Sequence, residues 1–181
     1  MKNNGFKHIV FGLLFVVLNF TIRLEDAFIL NLIPNFLGYG LIYQGLLRFE
    51  THFENVHLNT IKRLTIVLFI FTLVLFFIDL FGISLFLNTS HLWLGLLLSL
   101  SNLVLHLIFL FHLTKTIISI NRMESDLNKK LYTLFQVIVL VDVVSMFFIA
   151  FPVIGFFVII GGLIANIMYI LTIKNIGDLV D

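Results

Sequence analysis

The sequence predicts an all-α fold, a polytopic transmembrane bundle of six helices with both termini cytoplasmic. Three observations carry that reading: the composition, the spacing of the apolar runs and the placement of the cations. Of the 181 residues, 60% are hydrophobic and only 12% are charged, and the mean hydropathy is +1.13. A soluble domain is roughly 45–50% apolar and about 25% charged. So much apolar surface cannot be hidden in one small water-facing core. A soluble enzyme, a disordered tail and a nucleic-acid module are thereby excluded, and a net charge of +1 offers phosphates no basic field. With no Cys, disulfides, thiolate catalysis and Cys-ligated metal centres are excluded as well.

A bilayer core about 30 Å thick needs roughly 20 apolar residues in a helix. The first run, 8–22, is short, and Lys7 and Arg23 can lengthen it by snorkelling to the two interfaces. The second, 28–47, is broken near its start by Asn31, Pro34 and Asn35. The third, 64–87, holds one charge, Asp79, and the fourth, 92–113, carries Asn102, His106 and His112. From residue 131 to 173 the only charge is Asp142. One helix of that length would reach roughly 65 Å at about 1.5 Å per residue, twice the bilayer. The stretch must fold back, and Pro152, which lacks an N–H, marks the place. That gives spans at 131–150 and 152–173, with Pro152 opening the last. The whole chain is expected to form a single transmembrane domain, with cytoplasmic loops at 48–63 and 114–130. No run alternates apolar and polar residues as membrane-barrel strands do.

The cations test this layout independently. Lys2 and Lys7 precede span one; Arg48, Lys62 and Arg63 lie between spans two and three; Lys115, Arg122, Lys129 and Lys130 lie between four and five; Lys174 follows span six. Ten of the eleven Lys and Arg fall on one side, and only Arg23 on the other. Cytoplasmic connections keep the positive residues, which places both termini inside. Dropping any one span scatters these charges over both faces. Trp93 then stands at the outer start of span four, with Tyr132 and Tyr169 near the inner interface, as aromatic belts require. No small-residue cleavage pattern follows span one, so it is read as uncleaved.

Polar residues inside spans are the candidates for function. Asp142 lies near the middle of span five, where a charge costs at least about 2.5–3.5 kcal/mol. It must be neutral, paired or facing a wet cavity. Ser145, three residues on, shares its face. His106 lies in the middle-to-inner part of span four with Asn102 one turn above it. If spans four and five pack side by side, His106 and Asp142 can share a proton; the alternative is a neutral His satisfied by a neighbouring helix. Asn166, after Gly161, Gly162 and Ala165, reads as close packing with an interhelical amide bond. Asp79 is read as reaching headgroups and water. Asn31 reads as a helix cap, with Pro34 in the first turn and packing glycines Gly38, Gly40 and Gly45 behind it. Residues 48–63 look like a cytoplasmic helix that continues span two or lies on the membrane. Glu50, Glu54 and His57 there have a spacing that could hold a divalent metal, but a solvated face is the stronger reading, so no metal and no cofactor are expected. No nucleotide-binding glycine loop, HExxH or G-x-S-x-G is present, and the expectation is a protein that is not an enzyme.

The segment Leu32-Ile33-Pro34-Asn35-Phe36-Leu37-Gly38-Tyr39-Gly40-Leu41-Ile42-Tyr43-Gln44-Gly45-Leu46 resembles the opening of the second span in a group of small, uncharacterised integral membrane proteins of Firmicutes. Their pattern runs apolar, Pro, Asp or Asn, aromatic, apolar, Gly, Tyr, then Gly-Leu one span-width on. The resemblance implies a multi-pass protein of a bacterial plasma membrane and brings no activity with it. Size and span count are also similar to substrate-binding subunits of energy-coupling-factor vitamin transporters. Their first span usually carries Ala-x-x-x-Ala, and span one here has no Ala.

Two functions follow as expectations. The first is a small-molecule or ion translocation component, with Asp142, His106, Asn102, Ser145 and Asn166 on a substrate or proton path. The second is a non-catalytic membrane module for signalling, stress or assembly, acting through its cytoplasmic loops. The expected partners are the lipid bilayer and either a second copy or another membrane protein, not nucleic acid.

Overall fold

The structure, a computed structural model, describes residues 3–18, 21–24, 28–53, 58–84, 91–121, 125–148 and 152–180. Among them are six helices, α1 (Asn3–Val17), α2 (Asn35–Glu50), α3 (Asn59–Leu80), α4 (Leu92–Ile120), α5 (Ser125–Phe148) and α6 (Pro152–Val180), and one hairpin of strands β1 (Thr21–Leu24) and β2 (Phe28–Asn31). The chain is thus all-α but for that hairpin. α3, α4 and the stretch Gly155–Val180 of α6 are long and apolar enough to cross a membrane.

Each helix packs against the helix before and after it, and α6 returns to α1, so the six close into a ring. α1 and α2 lie closest. Gly5 and Gly12 are seven residues apart on α1, as are Gly38 and Gly45 on α2, so each pair forms one stripe. The stripes meet antiparallel: a Cβ built on Gly12 would stand 2.5 Å from the Gly38 carbonyl oxygen, and one on Gly45 would stand 2.7 Å from that of Gly5. Only glycine permits backbones to approach this far, and such approach drives helix association where no hydrophobic effect operates. At the same end Phe6 of α1 packs against Phe49 of α2 with the rings tilted by 58° and 4.7 Å between centroids, and covers Gly177 of α6.

Connections are tighter than the sequence reading drew them. α4 continues through Lys115 to Ile120, so the connection expected over 114–130 shrinks to 121–124. On this added stretch the Lys115 ammonium lies over the Phe111 ring, 4.4 Å from the centroid. Asn121 and Asn128 tie the end of α4 to the first turns of α5: the Asn128 amide donates to the Asn121 backbone carbonyl and the Asn121 amide to Asn128 Oδ1. Past Glu50 the chain leaves α2 through a turn at Thr51 and His52 rather than continuing the helix, and 54–57 of the segment expected to form a cytoplasmic helix lie outside the described residues. There Lys62 Nζ bridges both Glu50 carboxylate oxygens at 2.7 and 2.8 Å, tying α3 to α2.

The far end departs most from expectation. Residues 21–22 were assigned from sequence to the end of span one and 28–31 to the start of span two; instead 21–24 and 28–31 pair as an antiparallel hairpin with Thr21 opposite Asn31. The hairpin pairs the facing backbone groups of its two strands and leaves the outer edge of each strand unpaired within the two-stranded sheet. Asn31 therefore caps nothing; Pro34 holds the N-cap position of α2 with no side-chain cap bond. α3 stops at Leu80, short of the expected 87, because Gly82 turns the chain left-handed (φ 70°) and its N–H bonds the Asp79 carbonyl.

The core is fullest toward the cation-rich end and reaches Leu13 on α1, Tyr39 on α2 and Leu68 on α3. Its fully buried side chains run from Tyr39 to Phe49 on α2, from Phe109 to Ile120 on α4, from Leu131 to Ile138 on α5 and from Ala165 to Ile176 on α6. Hydroxyls within these helices are satisfied locally: Thr65, Thr72, Thr114 and Thr172 each donate to the carbonyl four residues back. Toward the far end, large apolar side chains such as Leu97, Leu140 and Phe157 are exposed.

Candidate functional site

The burial pattern of each helix fixes which face looks inward, and the polar residues lie on those faces. On α5, Leu131, Phe135 and Ile138 form the buried stripe, and Asp142 continues it by one turn. On α4, His106 and Asn102 extend the stripe of Phe109, Leu113 and Ile117. On α2, Asn35 extends the stripe of Tyr39, Ile42 and Leu46. Each stripe changes from apolar to polar near the level where full burial ends.

Contacts across the ring set the depth of that change. The Tyr39 hydroxyl bonds His106 Nδ1 at 2.8 Å, joining α2 to α4. The two rings meet edge to face, and Phe109 closes over both. Two turns deeper, the Thr114 and Tyr169 hydroxyls bond at 2.8 Å, joining α4 to α6. Two turns back from Tyr169 lies Gly162, whose absent Cβ leaves room for Val141, and Val141 adjoins Asp142. His106, Gly162 and Asp142 therefore stand at one level, on three helices, with Tyr39 reaching in from a fourth.

One turn farther from the core, α2 presents Asn35 and α4 presents Asn102. The two helices run parallel and are bonded through Tyr39 and His106, so these amides also share a level. Both Oδ1 atoms are shut off from solvent and accept no hydrogen bond; Asn31 Oδ1, in β2, is in the same condition. An unsatisfied buried polar atom costs roughly 1–3 kcal/mol, and these three oxygens and Ser84 Oγ are such atoms among the described residues. The site is not sealed: Asn102, Asp142 and Ser145 are half-buried, and Ser99, next on the α4 stripe, is exposed.

Five residues were singled out from sequence, and they divide. Asn102 and His106 lie on one stripe, and Asp142 stands at the level of His106. Of the two readings of His106, the structure shows the ring satisfied by a neighbouring helix, Nδ1 bonding the Tyr39 hydroxyl, and no His106–Asp142 bond is present among the described residues. Among the described residues, the Asp142 carboxylate has no hydrogen-bond partner. Ser145 and Asn166 are engaged on their own helices: Ser145 Oγ donates to the Asp142 backbone carbonyl and Asn166 Nδ2 to that of Gly162, each at 2.8 to 2.9 Å. Among the described residues Asn166 makes no interhelical amide bond. Tyr39 and Asn35 were not picked out as site residues. Their spacing of four and their continuation of the Asn31–Asn35 face were visible, but which helix they would meet was not. Of the metal candidates, Glu50 is bound to Lys62, and Glu54 and His57 lie outside the described residues. No group of three His, Cys, Asp or Glu gathers among the described residues.

No protein-family model, curated protein or solved structure matches this chain. The geometry alone carries the functional argument.

Proposed function

We propose that the chain is a six-span integral protein of a bacterial plasma membrane, its cation-rich end in the cytoplasm. We read it as a small-molecule or ion translocation component rather than an enzyme. Its recognition site is the polar level of Tyr39, His106 and Asp142, with Asn35 and Asn102 one turn outward. One observation carries this reading: two solvent-sealed amide oxygens lacking donors, next to a buried Tyr–His bond, where the packed core gives way to half-open stripes. Intramembrane polar groups that only join helices satisfy one another. These do not.

The alternative, an interaction module acting through its cytoplasmic connections, is disfavoured by their size. Residues 121–124 are flanked by a bonded Asn pair, and the Lys62–Glu50 bridge ties down the α2–α3 connection. The test is flux. Proteoliposomes would be challenged with cations, anions and neutral solutes, with tracer uptake and transport currents recorded. Flux of at least one class is expected, falling tenfold or more in Asp142→Asn and Asn102→Leu. Wild-type vesicles that pass nothing above empty ones, or variants that pass solute as well as wild type, would reject the reading.

A further inference from the structure

We infer that the outer seam between α4 and α5, near the cation-rich end, is a docking surface for an anionic phospholipid of the phosphatidylglycerol class. The inference goes beyond translocation and needs only that α4 and α5 lie in lipid. It starts from Lys115. This side chain is exposed, yet its ammonium stands 4.4 Å from the centroid of the Phe111 ring. Phe111 lies one turn nearer the middle of α4, so the ammonium points back along the helix instead of out past its end. A ring face attracts a cation but supplies no countercharge. Among the described residues no carboxylate pairs with Lys115, Lys129 or Lys130. Glu50 is held by Lys62, and Asp126 and Asp178 stand exposed near the start of α5 and the end of α6. Arg122 and Glu124 lie outside the described residues.

Ring contacts tie this cation to α5. Phe111 meets Phe135 of α5 at 6.0 Å between centroids, and Phe135 meets Tyr132 at 6.2 Å. Lys115, Phe111, Phe135 and Tyr132 therefore form one continuous strip across two helices. A phospholipid fits a strip, because its phosphate, ester oxygens and chains are spread along its length. Tyr132 and Gln136 are exposed one turn apart on α5, and Lys129 is exposed one turn before Tyr132. Neither the Tyr132 hydroxyl nor the Gln136 amide makes a hydrogen bond among the described residues. The strip thus presents ammonium, phenol O–H and amide N–H donors. A phosphodiester anion and the ester carbonyls of a glycerolipid are acceptors for all three.

The chains of the lipid have a matching track. On α4, Ile108, Val104 and Leu100 continue from Phe111 at spacings of three and four, and all are exposed. Because Phe111 touches α5, this stripe borders the seam. From Phe111 to Leu100 the rise is about 16 Å at 1.5 Å per residue, close to half of a bilayer core of about 30 Å. That is the depth of one leaflet. On α5, Leu140 and Val143 continue the line of Tyr132 and Gln136 and are exposed too. Charge then selects the headgroup. Lys115, Lys129 and Lys130 outnumber Asp126, the acid one turn before Lys129. A lipid with a net negative charge gains from that balance, whereas a choline headgroup brings a cation of its own. Basic pockets between membrane helices hold anionic headgroups in this way.

The probes are dioleoylphosphatidylglycerol and dioleoylphosphatidylcholine, each titrated into the purified full chain in detergent, with bound lipids counted by native mass spectrometry. The first phosphatidylglycerol should bind at least tenfold more tightly than the first phosphatidylcholine. Lys115→Gln should cut that preference fivefold or more. Lys7→Gln removes an exposed cation at the same end on α1, away from the seam, and should leave the preference within twofold. The lipid comparison needs only wild-type protein, so a variant that folds poorly does not spoil the test. Equal binding of the two lipids, or an unchanged preference in well-folded Lys115→Gln, overturns the inference. Equal losses in Lys115→Gln and Lys7→Gln overturn it as well, because they would show a diffuse basic end in place of a seam. A dimer in the same spectra that Lys115→Gln abolishes and phosphatidylglycerol does not displace would assign the seam to a second copy and against a lipid. A lipid preference without flux would sink the translocation reading and leave this inference standing; flux without a lipid preference would do the reverse.

Discussion

The imidazole of His106 has two ring nitrogens, and Tyr39 satisfies one of them. The Tyr169 hydroxyl differs, because its partner Thr114 already donates to the Leu110 carbonyl. Tyr169 must therefore be the donor in its bond with Thr114. Removing the Tyr169 hydroxyl leaves Thr114 still bonded, whereas removing that of Tyr39 leaves His106 Nδ1 buried and alone. Interhelical hydrogen bonds in membranes contribute on average about 0.6 kcal/mol and at most about 1.7. Tyr39→Phe should fall near the upper figure and Tyr169→Phe near or below the lower, measured by reversible unfolding in mixed micelles. The double variant Tyr39→Phe/His106→Leu should cost less than the sum of its single changes, since the second removes the atom that the first orphans. Strict additivity, or a larger loss from Tyr169→Phe, would show that the Tyr39–His106 bond is not holding α2 to α4. A His satisfied by another helix was within reach of the sequence, because a half-polar ring in an apolar run needs a partner. The identity of the partner was not, because Tyr39 lies 67 positions away and nothing local marks it.

At the scale of elements, the α1–α2 pair shows how small residues set register. α1 and α2 have 15 and 16 residues, about 22–24 Å at 1.5 Å per residue, shorter than a bilayer core of about 30 Å. The hairpin adds length at the far end, and the glycine stripes fix how the helices slide. Since Gly12 faces Gly38 and Gly5 faces Gly45, the contact has a single antiparallel register. Gly12→Ala should destabilise the fold by about 1–3 kcal/mol, the usual range for overpacking, because its Cβ would meet backbone rather than a movable side chain. Gly161→Ala is the control: nothing lies within 4 Å of its position. It should be neutral or stabilising by up to about 1 kcal/mol through helix propensity. A Gly12→Ala protein that unfolds no more easily than Gly161→Ala would refute the close contact. The sequence showed Gly38 and Gly45 as packing residues but not Gly5 and Gly12 as their counterparts. Heptad spacing on one helix says that a stripe exists, and only the opposing stripe says where it lands. The hairpin was missed for a related reason. Residues 28–31 are as apolar as a span, and no Asn-Gly or Gly-Gly turn announced the reversal.

For the whole molecule, charge placement and core placement point the same way. Helix order and the gathering of cations at one end were legible because both depend on composition along the chain. The depth at which the polar residues meet was not legible. It depends on registers set by Gly162 against Val141 and by two hydroxyl bonds, none of which has a local signature. The ring closes so that the start of α1 and the end of α6 share an end, through Phe6 and Gly177. In a membrane this arrangement requires an even number of crossings. On the proposed six-span reading α1, α2 and α5 cross with α3, α4 and α6, and the shorter helices leave a thinner apolar belt. The chain has no Cys, so single cysteines can report the topology without background. Lys129→Cys and Lys174→Cys lie at the cation-rich end and His91→Cys at the far end, all at exposed positions. A membrane-impermeant maleimide added to intact cells should label His91→Cys and spare the other two until the membrane is permeabilised. Labelling of Lys129→Cys and Lys174→Cys alone would keep the even crossing and invert the orientation. Labelling of His91→Cys together with only one of the other two would place the ends of α5 and α6 on opposite sides. The closed ring, and the shared level of His106 and Asp142 that depends on it, could not survive that result.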